Sequence, residues 1–221
     1  MYKSIGLIAG LLLSVAATAA PFQNGGFESG ATLPTCNLYN QTGTVMTGWN
    51  IYIGNIDWES SGGCGWIAAS GGYSIDVIGD STGGIGGIEQ TFDTIPGVVY
   101  LVEFAMAGNP GGLDPPIKPL AVTVAGNTTN FSFDVTGHSS SSMGWTTKSL
   151  QFTATSASTT IQFVSDISAN CVSCNAGAAL DDVRIGPLND AAPAVAVPMT
   201  GAAWIAMLLL AFAAVGLRRR G

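Results

Sequence analysis

Charged residues are scarce in this sequence. Only 10% of its 221 residues are Asp, Glu, Lys or Arg, whereas about 25% is usual in globular proteins. A helical bundle needs charged outer faces, and a disordered chain is usually rich in charge, so the composition argues against both. Glycine, with 30 residues, has about twice its usual share. The length accommodates one sizeable domain.

Basic residues are scarcer still. Between residues 20 and 190, only Lys118, Lys148 and Arg184 oppose all fourteen acidic residues, which gives this part of the chain a net charge of −11. A surface of that sign repels phosphate backbones, because nucleic-acid binding depends on Lys and Arg neutralising phosphates. We therefore expect no nucleic-acid partner.

Histidine is almost absent, which weakens the case for catalysis. His138 is the single histidine and lies among glycine and serine residues, in a predicted surface loop that would not give it the rigid orientation of a Ser-His-Asp relay. Asp57, Glu59 and Asp76 could supply two carboxylates for glycoside hydrolysis. However, a chain with fourteen acidic residues provides such pairs by chance. The sequence predicts no catalytic residues and no enzyme activity.

Residues 1–19 are typical of a secretory signal peptide. Lys3 gives the positive start, residues 5–15 the apolar core, and residues 17–19 the small side chains of a cleavage site. Cleavage after Ala20 would leave Pro21 next to the cut, so we predict cleavage after Ala19. An uncleaved anchor is the alternative, although the apolar core is short for a membrane span.

The C-terminal end has the composition of a membrane segment. An Ala/Pro-rich linker (residues 191–200) precedes an apolar stretch (201–217) and a basic tail (218–221) with three arginines. Seventeen helical residues span about 26 Å, close to the ~30 Å hydrocarbon layer, and the arginines would stay on the cytoplasmic side. We expect a transmembrane helix over residues 201–217.

This tail resembles the bacterial PEP-CTERM class of sorting signals. Val197, Pro198 and Met199 stand where that class has Pro-Glu-Pro, and Trp204 matches a variant with tryptophan near the start of the helix. The resemblance implies that the helix holds the exported protein in the inner membrane until a sorting peptidase cuts near the proline motif. A permanent anchor is the alternative. Both interpretations place the domain outside the cytoplasm, at the cell surface or in the extracellular matrix.

Four cysteines, Cys36, Cys64, Cys171 and Cys174, lie in the part of the chain expected to be exported. An even number in an oxidising compartment favours two disulfides, for which three pairings exist. Cys36 with Cys64 and Cys171 with Cys174 are the pairs closest in sequence. A zinc site built from all four thiolates is the alternative.

Between the two ends, apolar and polar residues alternate with the period of half-buried strands. Glycine- or proline-containing turns separate these runs, about nine or ten strands are expected, and the pattern predicts an all-β, two-sheet jelly-roll sandwich over residues 20–190. The inward-facing residues of the runs are Ile88, Gln90 and Phe92; Tyr100, Val102, Phe104 and Met106; Leu120, Val122 and Val124; Leu150, Phe152 and Ala154; Ile161 and Phe163; and Val183 and Ile185.

Several short segments, in order along the chain, resemble the choice-of-anchor C domain family. They include residues 24–28 (NGGFE), 74–77 (SIDV), 88–92 (IEQTF) and 179–183 (ALDDV). That family is similar to a plant cell-wall domain of unknown function and to jelly-roll carbohydrate-binding modules of the galactose-binding-like fold. The resemblance implies the fold, and it implies an exported, non-catalytic module that binds a polysaccharide or a cell-wall or matrix glycan. Two alternatives are a structural matrix or biofilm component without a discrete ligand and a glycan hydrolase.

The same resemblance implies a structural calcium ion. Jelly-roll sugar-binding modules commonly hold one between the first and last strands, which here means Glu28 with Asp181 or Asp182. Asp181 shares strand parity with Val183, so its carboxylate is expected to point inward, where burial without a partner is costly and a cation would offset the cost. The alternative is that Asp181 accepts backbone N–H bonds while Glu28 is solvated.

Aromatic side chains are the predicted sugar contacts. Trp58 and Trp66 flank a glycine-rich loop, so we expect both to be exposed, and Tyr73 lies nearby in sequence. We predict Trp58, Trp66 and Tyr73 as ligand-binding residues. Trp49 and Trp145 are expected to belong to the core.

Overall fold

The computed structural model describes residues 20–62, 64–79, 83–111, 115–168 and 175–188. The predicted signal peptide, linker, transmembrane helix and basic tail lie outside these ranges, and so do Cys171 and Cys174. Among the described residues, no helix has the length and apolar character needed to cross a membrane.

The described residues form ten β-strands and contain no α-helix. The strands are β1 (Leu38–Gly43), β2 (Asn50–Ser60), β3 (Tyr73–Asp76), β4 (Ile85–Asp93), β5 (Val99–Gly108), β6 (Ile117–Val124), β7 (Asn127–Asp134), β8 (Thr146–Thr153), β9 (Ser158–Asp166) and β10 (Ala178–Pro187).

Strand β2 belongs to two layers. Its first half, residues 50–54, pairs with β4, whereas residues 57–60 pair with β3. Gly54, between the halves, has a φ of 57°, a left-handed conformation that glycine adopts without steric cost. The hydrogen-bonded path β7-β6-β9-β4-β2-β3-β10-β5-β8 therefore turns from one layer into the other at β2, and β1 pairs with β2 beside this path.

Aromatic contacts show how the two layers face each other. Phe104 of β5 meets Phe131 of β7 and Phe163 of β9, with ring centroids 5.2 and 5.4 Å apart. Phe92 of β4 meets Phe152 of β8 at 6.4 Å. The core thus lies between a β7-β6-β9-β4-β2 layer and a β2-β3-β10-β5-β8 layer, which confirms the predicted two-sheet sandwich.

The alternation in the sequence identified the inner faces correctly. Fifteen of the inward-facing residues predicted above are buried, and the other two, Leu150 and Ile185, are partly buried and pack against the core.

The outer face of the second layer carries acidic residues. Cross-strand pairs join Trp58 to Ile75 and Asp57 to Asp76. Because side chains alternate along a strand, the first pair faces the core and the second faces away from it, together with Glu59. All three carboxylates are nevertheless buried, since other segments of the chain cover this face. The covering segments form the candidate site.

Candidate functional site

A cleft of about 610 Å³ opens over the outer face of the second layer. Asp57 and Glu59 of β2 form part of its lining. The surrounding walls come from loops and strand ends far apart in sequence. They include Tyr39, Cys64, Trp66, Asn109, His138 and Asn175.

The carboxylates below the cleft are held by polar contacts. The Asn40 backbone N–H donates to Asp57 Oδ1 at 2.7 Å. Asp76 accepts from Asn109 Nδ2 at 2.8 Å and from the Gly177 N–H at 3.0 Å. Burial raises the pKa of the Asp76 carboxyl well above its usual value; the hydrogen bonds oppose this shift, and the neighbouring Asp57 charge adds to it. Asp76 therefore anchors the cleft wall at Asn109, and Asp57 lines the cleft itself.

One wall of the cleft is fastened by a disulfide to the loop that follows β2 and by an amide to β2 itself. Cys36 and Cys64 are bonded, with an S–S distance of 2.10 Å, which confirms this predicted pair. Asn37 Nδ2 donates to the Cys64 carbonyl at 3.3 Å, and Asn37 Oδ1 accepts the Ser60 N–H at 3.1 Å. These contacts hold Tyr39, whose side chain is 51% exposed, at the edge of the cleft.

The expected exposure of Trp58 and Trp66 is wrong. Trp58 is fully buried because its strand parity points it into the core, where its indole N–H donates to the Phe27 carbonyl at 3.1 Å. Trp66 is 4% exposed; it belongs to the hydrophobic core, and its indole N–H donates to Ser74 Oγ at 2.8 Å. Trp66 still lines the cleft with an edge, whereas Trp58 does not.

The other aromatic predictions have mixed outcomes. Tyr73 is half-buried and packs against Trp58, with ring centroids 5.9 Å apart, and it does not line the cleft. Trp49 is in the core, as expected, and Trp145 is partly buried and packs against it. Tyr39 was missed, because β1 shows no regular alternation that would have marked it as a strand with an exposed aromatic residue.

The predicted metal ligands Glu28 and Asp181 meet at one segment, residues 69–73. Glu28 Oε1 accepts the N–H groups of Gly72 and Tyr73 at 2.9 and 3.0 Å, and Asp181 Oδ2 accepts the Ser70 N–H at 2.9 Å. The Asp182 carboxylate instead forms an ion pair with Arg184 at 2.7 Å.

Asp181 is buried, but not for the reason given by the sequence. It pairs with Ala105, whose neighbours Phe104 and Met106 face the core, so Asp181 faces outward. The register shifts between Asp181 and Arg184, and this bulge reverses the parity that linked Asp181 to Val183. The segment 69–73 covers the outward carboxylate. Burial raises the pKa of Asp181 to about 7, hydrogen bonds led by the Ser70 N–H oppose the rise, and the Asp182 charge adds to it.

The donor set near Asp181 fits a hard cation only in part. Two carboxylates from distant segments converge there, and oxygen ligands are what Ca²⁺ prefers. Their oxygens also accept backbone N–H bonds, which the alternative interpretation expected for Asp181 but not for Glu28. No group of three or more His, Cys, Asp or Glu side chains placed to hold a metal occurs within the described ranges.

The fold and the cleft together define a class: an all-β sandwich with a polar, aromatic-edged cleft on the outer face of one layer. Sequence comparison identifies the family. Residues 20–186 match the profile of DUF642, described as a protein of unknown function, and the chain belongs to that family. No curated protein matches the chain in sequence.

Three of the solved structures to which this chain is similar are described as carbohydrate-binding modules or domains. TmCBM61, solved in complex with β-1,4-galactotriose, is 16% identical, with a TM-score of 0.49 over 77% of this chain and 99% of that one. A family 35 carbohydrate-binding module from Clostridium thermocellum is 14% identical, with a TM-score of 0.42 over 69% and 99%. The CBM22-1 xylan-binding domain from Paenibacillus barcinonensis Xyn10C is 15% identical, with a TM-score of 0.43 over 74% and 98%. The fold assignment rests on the strand pairing described above.

Proposed function

We propose that this domain is a non-catalytic carbohydrate-binding module and that the cleft beside Tyr39 is its binding site. The observation that carries the proposal is the composition of the cleft. An exposed aromatic ring stands at its edge, and carboxylates and the amides of Asn37, Asn109 and Asn175 line it. Such a combination suits a sugar, whose C–H faces pack on aromatic rings and whose hydroxyl groups bond to carboxylates and amides.

The positions of the acids support binding rather than hydrolysis. Asp76 is fully buried and holds Asn109 and Gly177, so its carboxylate serves the scaffold. Asp57 accepts a backbone N–H from β1. A glycosidase needs one acid with a raised pKa and a second carboxylate, both facing the scissile bond. Asp76, whose pKa burial raises, does not line the cleft.

We infer that the protein is exported and sorted to the cell surface or extracellular matrix, as a choice-of-anchor C protein with a PEP-CTERM-like tail. The start of the domain supports cleavage after Ala19. The Ala20 carbonyl accepts the Asp93 N–H at 3.0 Å, so the domain is hydrogen-bonded from the first residue that would remain.

We also propose a structural calcium ion held by Glu28 and Asp181, with Asp182 able to join if it leaves Arg184. When bound, the ion would neutralise the buried Asp181 carboxylate and brace segment 69–73. Calcium should then raise the melting temperature of the protein in EDTA-treated buffer, and the rise should disappear in Glu28→Gln and Asp181→Asn. An equal rise in Glu89→Gln, whose carboxylate lies on the other layer, is the control. No response of the wild type to calcium would remove the metal from the proposal.

Affinity electrophoresis of the secreted protein in gels containing galactan, xylan, cellulose derivatives or chitosan tests the binding function. We expect at least one polysaccharide to retard the protein. Tyr39→Ala should weaken that binding about tenfold, corresponding to ~1.4 kcal/mol. Ile117→Ala, which truncates an exposed residue of β6 outside the cleft, should leave it unchanged.

Three outcomes would contradict the proposal. Absence of retardation by every polysaccharide would favour a structural matrix component without a discrete ligand. Unchanged binding by Tyr39→Ala would place the sugar elsewhere on the domain. Release of reducing sugar by the wild type, abolished in Glu59→Gln, would identify a glycan hydrolase.

A further inference from the structure

We propose that the cleft selects glycans whose sugars carry a protonated amine and rejects glycans built from uronic acids. This inference rests on the proposed function and specifies the class of sugar that the same cleft takes. It is carried by the distribution of charge around the cleft. The cleft itself, with Tyr39 and its amides, is the site, and the charges decide which sugars it accepts.

The charged groups beneath the cleft are negative. Asp57 and Glu59 line it; the fully buried Asp76, whose pKa is raised, is not counted among these charges. Glu59 also approaches Gly65 so closely that a Cβ on this glycine would overlap the Glu59 Oε2 atom. The loop bearing Gly65 thus lies against the carboxylate and keeps it at the wall of the cleft.

No Lys or Arg is among the described residues that line the cleft, and His138 is the one basic side chain there. Residues 112–114 and 169–174, which adjoin lining residues in the sequence and lie outside the described residues, include no Lys or Arg. The buried Lys118 does not line the cleft; its aliphatic stem would be 2.7 Å from a Cβ on Gly108.

These charges discriminate between sugars with the same ring shape. A protonated amine has three N–H donors and no acceptor, which matches carboxylate and amide oxygens. Acetylation of that amine removes the charge and leaves a bulkier neutral group. A uronate would bring a further carboxylate close to two others, and like charges in a partly desolvated site oppose binding.

The test compares three probes of equal length: oligomers of β-1,4-linked glucosamine, of its N-acetylated form, and of galacturonate. Titration calorimetry of the secreted protein at about pH 6 gives the three affinities. We expect the glucosamine oligomer to bind at least about tenfold more tightly than the acetylated one. No binding of galacturonate is expected. The preference should shrink as salt screens the charges.

Matched variants separate the cleft from the overall negative charge of the domain. Glu59→Gln and Asp57→Asn each remove one charge from the cleft and should reduce the preference for the amine severalfold. Glu89→Gln removes one charge from the other layer and should leave the preference unchanged. Asp57→Asn serves as the second cleft variant if Glu59→Gln does not fold, as judged by its melting curve.

The possible failures are distinguishable. If the acetylated or galacturonate oligomer binds as well as the glucosamine oligomer, the charge selectivity is wrong while the binding function stands. An equal effect of Glu59→Gln and Glu89→Gln would likewise overturn it, because the preference would then come from net charge. If none of these probes and none of the polysaccharides binds, the proposed function itself fails.

Discussion

Asp181 shows how one carboxylate can be buried without facing the core. Its register partner Ala105 lies on the outer face of the second layer, and the Ser70 N–H of segment 69–73 donates to its carboxylate. Hydrogen bonds to the charged form lower the pKa of a carboxyl group, but loss of water raises it. Here the loss of water is the larger effect, and the pKa rises to about 7.

That pKa predicts a pH dependence of stability. Between about pH 4 and about pH 7, folded Asp181 keeps its proton whereas the unfolded chain releases it. The folded state then binds more protons, so the free energy of unfolding falls as pH rises through this window. Asp181→Asn should flatten the fall, as measured by urea unfolding in EDTA from about pH 4 to pH 8. Parallel curves for variant and wild type would contradict the assignment. Asp76, whose pKa is also raised, contributes to both curves.

Truncation of Trp58 should mainly lower the stability of the domain, whereas truncation of Tyr39 should mainly lower its glycan affinity. Trp58→Ala removes a fully buried indole and should lower the free energy of unfolding by about 3–5 kcal/mol. Tyr39→Ala removes a ring that is half exposed and should cost less than about 1 kcal/mol. Glycan affinity should fall in Tyr39→Ala. A milder variant, Trp58→Phe, should retain the affinity of the wild type, and loss of binding in that variant at unchanged stability would restore Trp58 as a sugar contact.

At the scale of elements, β2 explains why the alternation pattern is incomplete. Ile51 faces the core in the first half of the strand, and Ile56 and Trp58 face it in the second half. The inward parity therefore changes between residues 51 and 56, and the β2–β4 register shifts there. A strand that turns from one layer into the other needs such a change of parity. The same irregularity hides the strand from a search for period two.

The glycines at the start of β4 should tolerate substitution poorly. A glycine-rich run such as residues 83–87 is typical of a turn, but Gly86 and Gly87 lie in the strand. A Cβ on Gly86 would overlap the Val77 carbonyl oxygen and lie 2.6 Å from the Asn55 carbonyl oxygen. Gly86→Ala should destabilise the domain by about 1–3 kcal/mol or more.

Gly186→Ala in β10 is the matched control, because a Cβ there meets nothing within 4 Å. It should be neutral or stabilising by up to about 1 kcal/mol. Thermal unfolding tests this prediction: Gly86→Ala should melt at a lower temperature than Gly186→Ala. Equal melting temperatures of the two variants would show that β4 does not pack as described.

The disulfide should act on both stability and the cleft. The Cys36–Cys64 bond closes a loop with a sequence separation of 28, and bonds of this kind typically contribute about 2–4 kcal/mol. The double variant Cys36→Ser with Cys64→Ser should therefore melt at a lower temperature. It should also bind glycans more weakly, because Asn37 and Tyr39 lose their attachment to Cys64. Unchanged glycan binding by the double variant would contradict this prediction and would show that β2 alone shapes the cleft.

At the scale of the whole molecule, the chain should be processed at both ends. Intact-mass analysis of the full chain, produced in a bacterium that has a sorting peptidase for PEP-CTERM tails, should show a first residue of Ala20. It should also show a C-terminus near Val197–Met199. In a strain without that peptidase, we expect residues 201–217 to remain attached and the protein to stay in the membrane fraction. A full-length chain in the soluble fraction would contradict both predicted signals.

The sequence by itself determined the class of the fold and the sign of its charge. Alternation depends only on neighbouring residues, so runs such as Tyr100 to Met106 revealed their inner faces, and the acidic composition predicts that the protein has no nucleic-acid partner. The Cys36–Cys64 disulfide could also be predicted, because its two cysteines are close in sequence.

The cleft was decided by the tertiary structure. Its walls depend on contacts such as Asn40 with Asp57 and Gly177 with Asp76, the latter separated by 101 residues. The outward position of Asp181 depends on a single bulge, and Trp66 is buried in the core, where its N–H reaches Ser74. A local pattern cannot report which distant segments cover a sheet face, because that coverage arises only when the layers and loops pack together.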